Sequence, residues 1–336
     1  VLPSPPAAFQ SPLVVPPSAF ALLRRFRTAG PQSREALSRA LNLGDAELEA
    51  GLQALAAQGV AIRRAGDLFV LADPVDLLDA AALEADLRAR GSALSAEVLD
   101  QCASTNARLL EAPFVHGRVL ACELQTAGRG RRGNGWHARL GASLTFSMAW
   151  RIALPPQALG GLTLAVAVAC ARALEALGFG DVRLKWPNDL MRNGAKLGGI
   201  LVEVARSAGD RTELVIGVGL NVRADAALQA QVGRPLADLH TGDGTPPSRT
   251  ALLAGLLREL ESALQRYERE GFAAFFKNEW LRRHAYQDRR VRMAVNERES
   301  VEGWARDVAE DGALVLQTET GLHRFHAGEV SLREAA

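Results

Sequence analysis

Cysteine is scarce in this chain, and what there is carries no pattern. Cys102, Cys122 and Cys170 are scattered along 336 residues, odd in number and without metal-ligand spacing, which argues against a disulfide framework and against a zinc site. The expected setting is one that keeps thiols reduced, the cytoplasm. Excess charge is missing too. Lys and Arg number 39 against 38 Asp and Glu, a formal net charge of +1, so no global polycationic field draws the chain to nucleic acid or to a membrane. No apolar run is long enough to span a bilayer: the longest, Leu162 to Cys170, is under half of the ~20 residues that a spanning helix needs. The opening Val1 to Pro17 is proline-rich but lacks a basic segment ahead of an apolar one, and residues 1–18 read as a disordered lead-in rather than a signal peptide. Internal repeats and sustained low-complexity tracts are absent as well.

What is present is an ordinary globular composition, 48% hydrophobic and 23% charged, in a chain long enough for two or three domains. Over 19–72, Ser33 is placed to cap a helix carrying Leu37 and Leu41, and a further helix runs from Gly44-Asp45 through Leu48, Leu52 and Leu55. Strands at Val60–Arg64 and Leu68–Leu71 flank a Gly66-Asp67 turn, giving the pattern of a winged helix-turn-helix. A connector with helical character fills 73–92, and 93–284 alternates strands and helices, with the apolar helix Leu162–Leu177 expected to back the sheet. Val182–Met191 reads as one strand, bent at Pro187 or lying where a ligand interrupts the pairing, Asn193-Gly194 as a hairpin turn, and Leu197–Val204 as the returning strand. Thr212–Val222 adds a strand and Arg249–Glu270 an amphipathic helix. Residues 285–336 read as all β, with Val291, Met293 and Val295 alternating and Asp311-Gly312 turning into Ala313–Leu316, enough for a small barrel.

The segment Gly128-Arg129-Gly130-Arg131-Arg132-Gly133 packs three guanidinium groups and three glycines into one loop. Guanidinium forks suit carboxylate and phosphate, and glycines let backbone amides approach an anion. No Lys-Ser/Thr pair follows, and the glycine spacing is not that of a dinucleotide site, so the common phosphate loops are excluded. Around it, in order, stand Asp100 to Asn106, Gln125 to Gly133, Lys185-Trp186-Pro187-Asn188-Asp189, Lys196 to Leu201, and Gly217-Val218-Gly219-Leu220-Asn221. This ordered set resembles biotin protein ligase, in the bacterial form with an N-terminal winged helix, from about Ala19 onward.

The resemblance implies an α+β protein: a winged helix-turn-helix, a central mixed α/β ligase domain with a class II synthetase-like sheet, and a small SH3-like C-terminal barrel. It implies biotin, ATP and magnesium as ligands, biotinyl-5′-adenylate as the intermediate, and a lysine of the biotin carboxyl carrier protein of acetyl-CoA carboxylase as acceptor. By matching motifs, Ser104, Thr105, Asn106 and Gln125 fall where biotin is held. Short hydroxyl and amide groups satisfy a ureido ring, while Ser104-Thr105-Asn106 is also a plain helix cap before Ala107–Leu110. Arg129, Gly130 and Arg131 match the loop that closes over the adenylate, and Lys196 the lysine at the carboxylate and phosphate. Arg131, Lys196 and Asp189 are the catalytic candidates; Arg129, Arg131, Asn188, Lys196, Gly217 and Asn221 are the ATP candidates. Asn188 and Asp189 contact phosphate or magnesium, or orient the incoming lysine, and the sequence does not choose; metal ligands stay unassigned. Gly217 and Gly219 are expected to let adenine or ribose approach, or to mark a bulge, Trp186 and Pro187 to shape the strand, and Trp136 to serve as a lid or core aromatic.

Two departures bear on function. Asn134-Gly135 stand where basic residues are usual, and Arg223–His240 has no aromatic in its middle, which leaves the ATP clamp unspecified. The resemblance also implies a homodimer and operator DNA as a second partner. The recognition helix expected at Asp45–Gln58 carries Asp45, Glu47 and Glu49 and neither lysine nor arginine, which opposes phosphate contact. A lipoate or octanoate ligase, or a ligand-sensing regulator without transferase activity, are the alternatives; the loop Gly-Arg-Gly-Arg-Arg-Gly favours biotin over the first.

Overall fold

The computed structural model describes residues 14–240, 247–294, 300–326 and 331–334. The chain begins with helix α1 (Pro17–Ala29), followed by β1 (Gln32–Ser33), α2 (Arg34–Leu41), α3 (Asp45–Ala57), β2 (Ile62–Ala65) and β3 (Leu68–Leu71), the strands pairing in the order β1-β3-β2. Ser33 caps α2, its hydroxyl accepting from Ala36 N at 3.2 Å. Leu48, Leu52 and Leu55 of α3 are buried with Phe20, Leu22 and Leu23 of α1. Of the lead-in expected over 1–18, residues 1–13 lie outside the described residues, and Pro17 occupies the first turn of α1, where its missing N–H costs nothing. Val15 is buried, and its N–H donates to Gln101 Oε1 at 2.9 Å.

The connector continues into α4 (Ala80–Ala89), capped by Asp79. It is held by a buried ion pair. Arg249, fully buried, donates to Glu123 Oε2 at 2.6 Å and to the Asp76 carbonyl at 2.7 Å, while Glu123 Oε1 accepts from Leu78 N at 2.6 Å. Two charges out of water persist when paired and hydrogen-bonded; Nη1 makes both of these bonds, while Nε and Nη2 of Arg249 are buried without a partner, and the contacts fix the connector to the strand that carries Glu123.

The central domain is a seven-stranded sheet. In chain order it comprises β4 (Ser95–Cys102), helix α5 (Thr105–Glu111), β5 (Arg118–Gln125), the short strands β6 (Gly128–Arg129) and β7 (Gly135–Trp136), and β8 (Ser143–Ile152). Then come α6 (Leu162–Ala176), β9 (Arg183–Lys185), β10 (Asp189–Arg192), β11 (Ala195–Ala208) and β12 (Arg211–Asn221). The order is β4-β5-β8-β12-β11-β10-β9, with β4 and β5 parallel and the other neighbours antiparallel; β6 and β7 pair apart. After α7 (Ala226–Val232), the long helix α8 (Arg249–Phe275) lays Leu252, Leu253, Leu256, Leu257, Leu260 and Leu264 against α6 and the sheet, an i, i+3, i+4 stripe typical of a core-facing helix.

One expected element is corrected. Val182–Met191 is not a single bent strand: the chain reverses at Trp186–Pro187–Asn188, through a cis Trp186–Pro187 peptide, so that Lys185 pairs with Asp189 and Leu184 with Leu190. Pro187 has no N–H to give a ladder and sits at the turn instead. The reversal presents Lys185, Pro187, Asn188 and Asp189 at one end of the sheet.

Helix α9 (Lys277–Arg283) leads into an antiparallel C-terminal sheet of β13 (Arg290–Ala294), β14 (Ser300–Val308), β15 (Leu314–Thr318), β16 (Gly321–Phe325) and β17 (Ser331–Glu334), ordered β16-β15-β14-β13-β17. Val291 and Met293 point into it; Val295 lies outside the described residues. This sheet shares the central core through Val291, Met293, Leu314 and Leu316, and Trp186 Nε1 donates to the Gly312 carbonyl at 3.0 Å. Among the described residues no helix is long and apolar enough to cross a membrane.

Candidate active site

A cleft of about 720 Å³ opens across β8, β12 and β11, between the β6–β7 loop and the Trp186–Asp189 turn. Its two ends differ in chemistry. At the inner end, Ser104 leaves β4 and caps α5, accepting from Ala107 N at 3.4 Å, so cap and site coincide. Thr105 and Asn106 are buried behind it. Gln125, the last residue of β5, accepts from Thr105 N at 2.7 Å and from Thr105 Oγ1 at 3.1 Å. Ser147 of β8 lies 2.6 Å from Thr105 Oγ1 and 2.5 Å from Asn106 Oδ1, its one proton serving either acceptor. Asn106 Nδ2 donates to Glu203 Oε2 at 2.8 Å, and Glu203 Oε1 accepts from Arg129 at 2.7 Å. Phe146, Ile200, Leu201 and Val218 supply apolar lining. A neutral ligand with both donors and acceptors on an apolar body matches such a lining.

The outer end is cationic. Arg129, Arg131, Arg132, Lys185, Lys196 and Arg234 line the cleft against one carboxylate among the described residues, Asp189. Lys196 Nζ lies 2.5 Å from Asp189 Oδ1, both side chains largely shielded from solvent. Burial, followed by the neighbouring Arg132 charge, pulls the Arg131 guanidinium below its ordinary value, with Asp189 acting in the opposite sense. A desolvated cation near like charges gains most from an arriving anion. The arginine loop is itself a small hairpin: Gly128 pairs with Trp136 and Arg129 with Gly135, and Gly130 N donates to the Asn134 carbonyl at 2.7 Å.

The glycines of β12 have a definite steric role. A Cβ on Gly217 would stand 2.1 Å from Asn106 Oδ1, and one on Gly219 would stand 2.5 Å from the Trp136 indole. Protein side chains therefore occupy the close approach that was expected of adenine or ribose. Trp136 lines the cleft, and its Nε1 is buried with no partner. Asn221 is also spent within the protein, its amide donating to the carbonyls of Lys196 at 3.3 Å and Ala237 at 3.1 Å, which ties the segment after α7 to the lysine's strand. Asn188 Nδ2 donates to the Ile200 carbonyl at 2.8 Å.

Every sequence-derived site residue thus lines the same cleft: Ser104, Thr105, Asn106, Gln125, Arg129, Gly130, Arg131, Asn188, Asp189, Lys196, Gly217 and Asn221. Sequence reading missed Ser147 and Glu203, which bond Asn106 from behind the lining, and the lining residues Val232 at the end of α7 and Arg234 and Leu236 after it. A signal existed for two of them. Ser147 and Glu203 are polar residues inside the apolar strands Leu144–Trp150 and Leu197–Val204, and a buried polar group needs a partner. Among the described residues, no group of three or more His, Cys, Asp or Glu side chains is placed to hold a metal.

Residues 99–221, from β4 to the end of β12, match the model of the Biotin/lipoate A/B protein ligase family, and residues 288–333 match the Biotin protein ligase C terminal domain. The chain is 35% identical over 306 residues to the Bifunctional ligase/repressor BirA of Escherichia coli (strain K12), covering 90% of this chain and 93% of that protein. It is 35% identical over 244 residues to the Biotin--[acetyl-CoA-carboxylase] ligase of Mycobacterium tuberculosis, covering 70% and 87%. Its fold is similar to that of the biotin protein ligase from Aquifex aeolicus solved in complex with biotin and ATP, with a TM-score of 0.62 and 27% identity over 71% of this chain and 99% of that one.

Proposed function

This chain belongs to the biotin protein ligase family, and from that premise we propose how its cleft carries out ATP-dependent biotinylation. The activity is that of a biotin–[acetyl-CoA-carboxylase] ligase. A carboxylate oxygen of biotin attacks the α-phosphorus of ATP and pyrophosphate leaves, giving biotinyl-5′-adenylate. The amine of an acceptor lysine on the biotin carboxyl carrier protein then attacks the acyl carbon, AMP leaves, and the amine loses a proton. The observation that carries this reading is the junction of two unlike ends in one cleft, a neutral polar cluster joined to a cationic one.

In the proposed assignment, Ser104, Thr105, Asn106 and Gln125 hold the ureido ring, and the apolar lining takes the thiophane and valeryl carbons. Lys196, Arg129 and Arg131 face the carboxylate and α-phosphate, where two anions meet and cations offset the charge that redistributes. Asp189 fixes the Lys196 ammonium until the anion arrives. Arg131 and Gly130 close the hairpin over the mixed anhydride, keeping water from it. Magnesium fits the outer end: the Asp189 carboxylate and the Asn188 amide oxygen are hard donors, and such an ion takes one or two protein oxygens with the rest from phosphates and water. When bound it neutralises phosphate charge. Trp136, with its unpaired Nε1 beside Gly219, and Arg234 supply the nucleotide side, with Gly217 and Asn221 shaping the wall. The test is pyrophosphate release from ATP and magnesium with biotin, octanoate or lipoate offered in turn; release with biotin alone is expected, and release with octanoate or lipoate instead reassigns the acyl substrate.

The finer architecture is proposed as a winged helix for residues 17–71, a class II synthetase-like central sheet and an SH3-like C-terminal barrel, with the free thiols suiting the cytoplasm. The E. coli relative bears the name ligase/repressor, yet in this chain α3 exposes Asp45, Glu47, Glu49 and Gln53, and Arg34 of α2 is paired with Glu49 at 3.1 Å. We expect weak DNA binding with biotin and ATP saturating: affinity for promoter duplex changing less than about tenfold between 50 and 200 mM salt, without preference over random duplex. A reader making several phosphate contacts loses roughly 10³–10⁵ over that range, and such a slope with sequence preference would make the chain a repressor as well.

A further inference from the structure

We infer that Glu203 is a positioning residue that fastens the arginine hairpin to the ring-binding end of the cleft before any ligand arrives; the inference rests on the ligase reading of that cleft. Glu203 lies on β11 opposite Val215, a carboxylate in an otherwise apolar stretch, and its side chain is 21% exposed. It has no direct place in the cleft lining, so its effect passes through its two partners. One oxygen accepts from Asn106 Nδ2 at 2.8 Å, the other from Arg129 at 2.7 Å.

An ionised carboxylate only accepts, so both facing groups must present N–H. That requirement orients the Asn106 amide: its nitrogen is turned to Glu203, and its oxygen faces Ser147 Oγ at 2.5 Å, with Gly217 leaving the space that oxygen occupies. On the other side, the same carboxylate draws in Arg129, whose side chain is otherwise half exposed on β6 of the hairpin. One residue therefore sets the donor–acceptor polarity of the ring site and anchors the first arginine of the loop. It also offsets the Arg129 charge, as Asp189 offsets that of Lys196.

The test is hydrogen exchange of amides 128–136 in the ligand-free full chain. Glutamine offers one acceptor and one donor group where two acceptors are needed, so Glu203→Gln loses one of the two bonds. Exchange in the hairpin should rise on the order of tenfold, as expected for one charge-assisted hydrogen bond, while β8 and β12 stay protected. The KM for biotin should rise by a similar factor with kcat nearly unchanged, the signature of lost ground-state positioning. The double variant Asn106→Asp with Glu203→Gln restores the match: the new carboxylate at 106 accepts from the new amide at 203, whose oxygen accepts from Arg129. Hairpin protection should return in it whatever becomes of biotin affinity. Unchanged hairpin exchange in Glu203→Gln overturns the inference, as does a loss of protection that the double variant fails to restore. A parent protein that forms no biotinyl-adenylate, with the exchange pattern as expected, would remove the ligase reading and leave the fastening intact.

Discussion

Replacing Lys196 with alanine is expected to cut biotin-dependent adenylate formation by about 10²–10³, the usual cost of removing one preorganised group that meets developing charge. Lys196 Nζ stands among the cations of the outer cleft, 2.5 Å from Asp189 and beside Gly199, where a Cβ would already lie 3.4 Å from the ammonium. Its backbone is held independently, the Lys196 carbonyl accepting from Ala237 N at 2.9 Å and from Asn221, so the strand persists when the side chain is removed. Stability should therefore change by about 1–3 kcal/mol, between the cost of breaking an exposed ion pair and a buried one. Single-turnover adenylation and thermal unfolding, measured on the same preparation, separate the two effects. Near-normal adenylation in the folded variant would take Lys196 out of the chemistry.

The second large effect is on the intermediate rather than on its formation. Arg131→Gly removes a half-buried guanidinium from the hairpin tip and adds backbone freedom there. Charged hydrogen bonds are worth about 1.5–3 kcal/mol, so biotinyl-adenylate should dissociate roughly 10–100-fold faster. The released mixed anhydride then acylates lysines of bystander proteins, and labelling becomes diffuse. Dissociation rates equal to those of the parent would show that Arg131 does not guard the intermediate. Asn134 and Gly135, neutral where basic residues are usual, leave Arg131 and Arg132 as the guanidinium groups of the hairpin tip, which sharpens the expected loss.

Much of the fold was legible because local chemistry and tertiary demand agree. Ser33 and Ser104 cap the helices that their position suggests, Asn193-Gly194 joins β10 to β11 as a hairpin turn, and the apolar stripe of Arg249–Glu270 faces the core. The reversal at Pro187 was not legible. A proline in a strand-like run signals an interruption, but nothing local distinguishes a bend from a turn whose two arms pair with each other. The site was legible as a set of polar and basic motifs, since the ordered segments all reach one cleft. Its internal wiring was not. The spacing of Gly217 and Gly219 signalled close approach without saying that Asn106 and Trp136 are what approach, and Glu203 and Ser147 matter through partners far off in sequence, Asn106 and Arg129. Pairing across a sheet, which a single sequence does not print, decides those contacts.

The most direct measurement is intact-mass and peptide-mass analysis of a biotin carboxyl carrier domain incubated with the full chain, biotin, ATP and magnesium. One biotinyl group on one lysine, dependent on ATP and lost in Lys196→Ala, is the expected result. A carrier that stays unmodified by biotin while octanoate or lipoate is transferred, or one that gains no acyl group from a chain that still binds biotin, would contradict it.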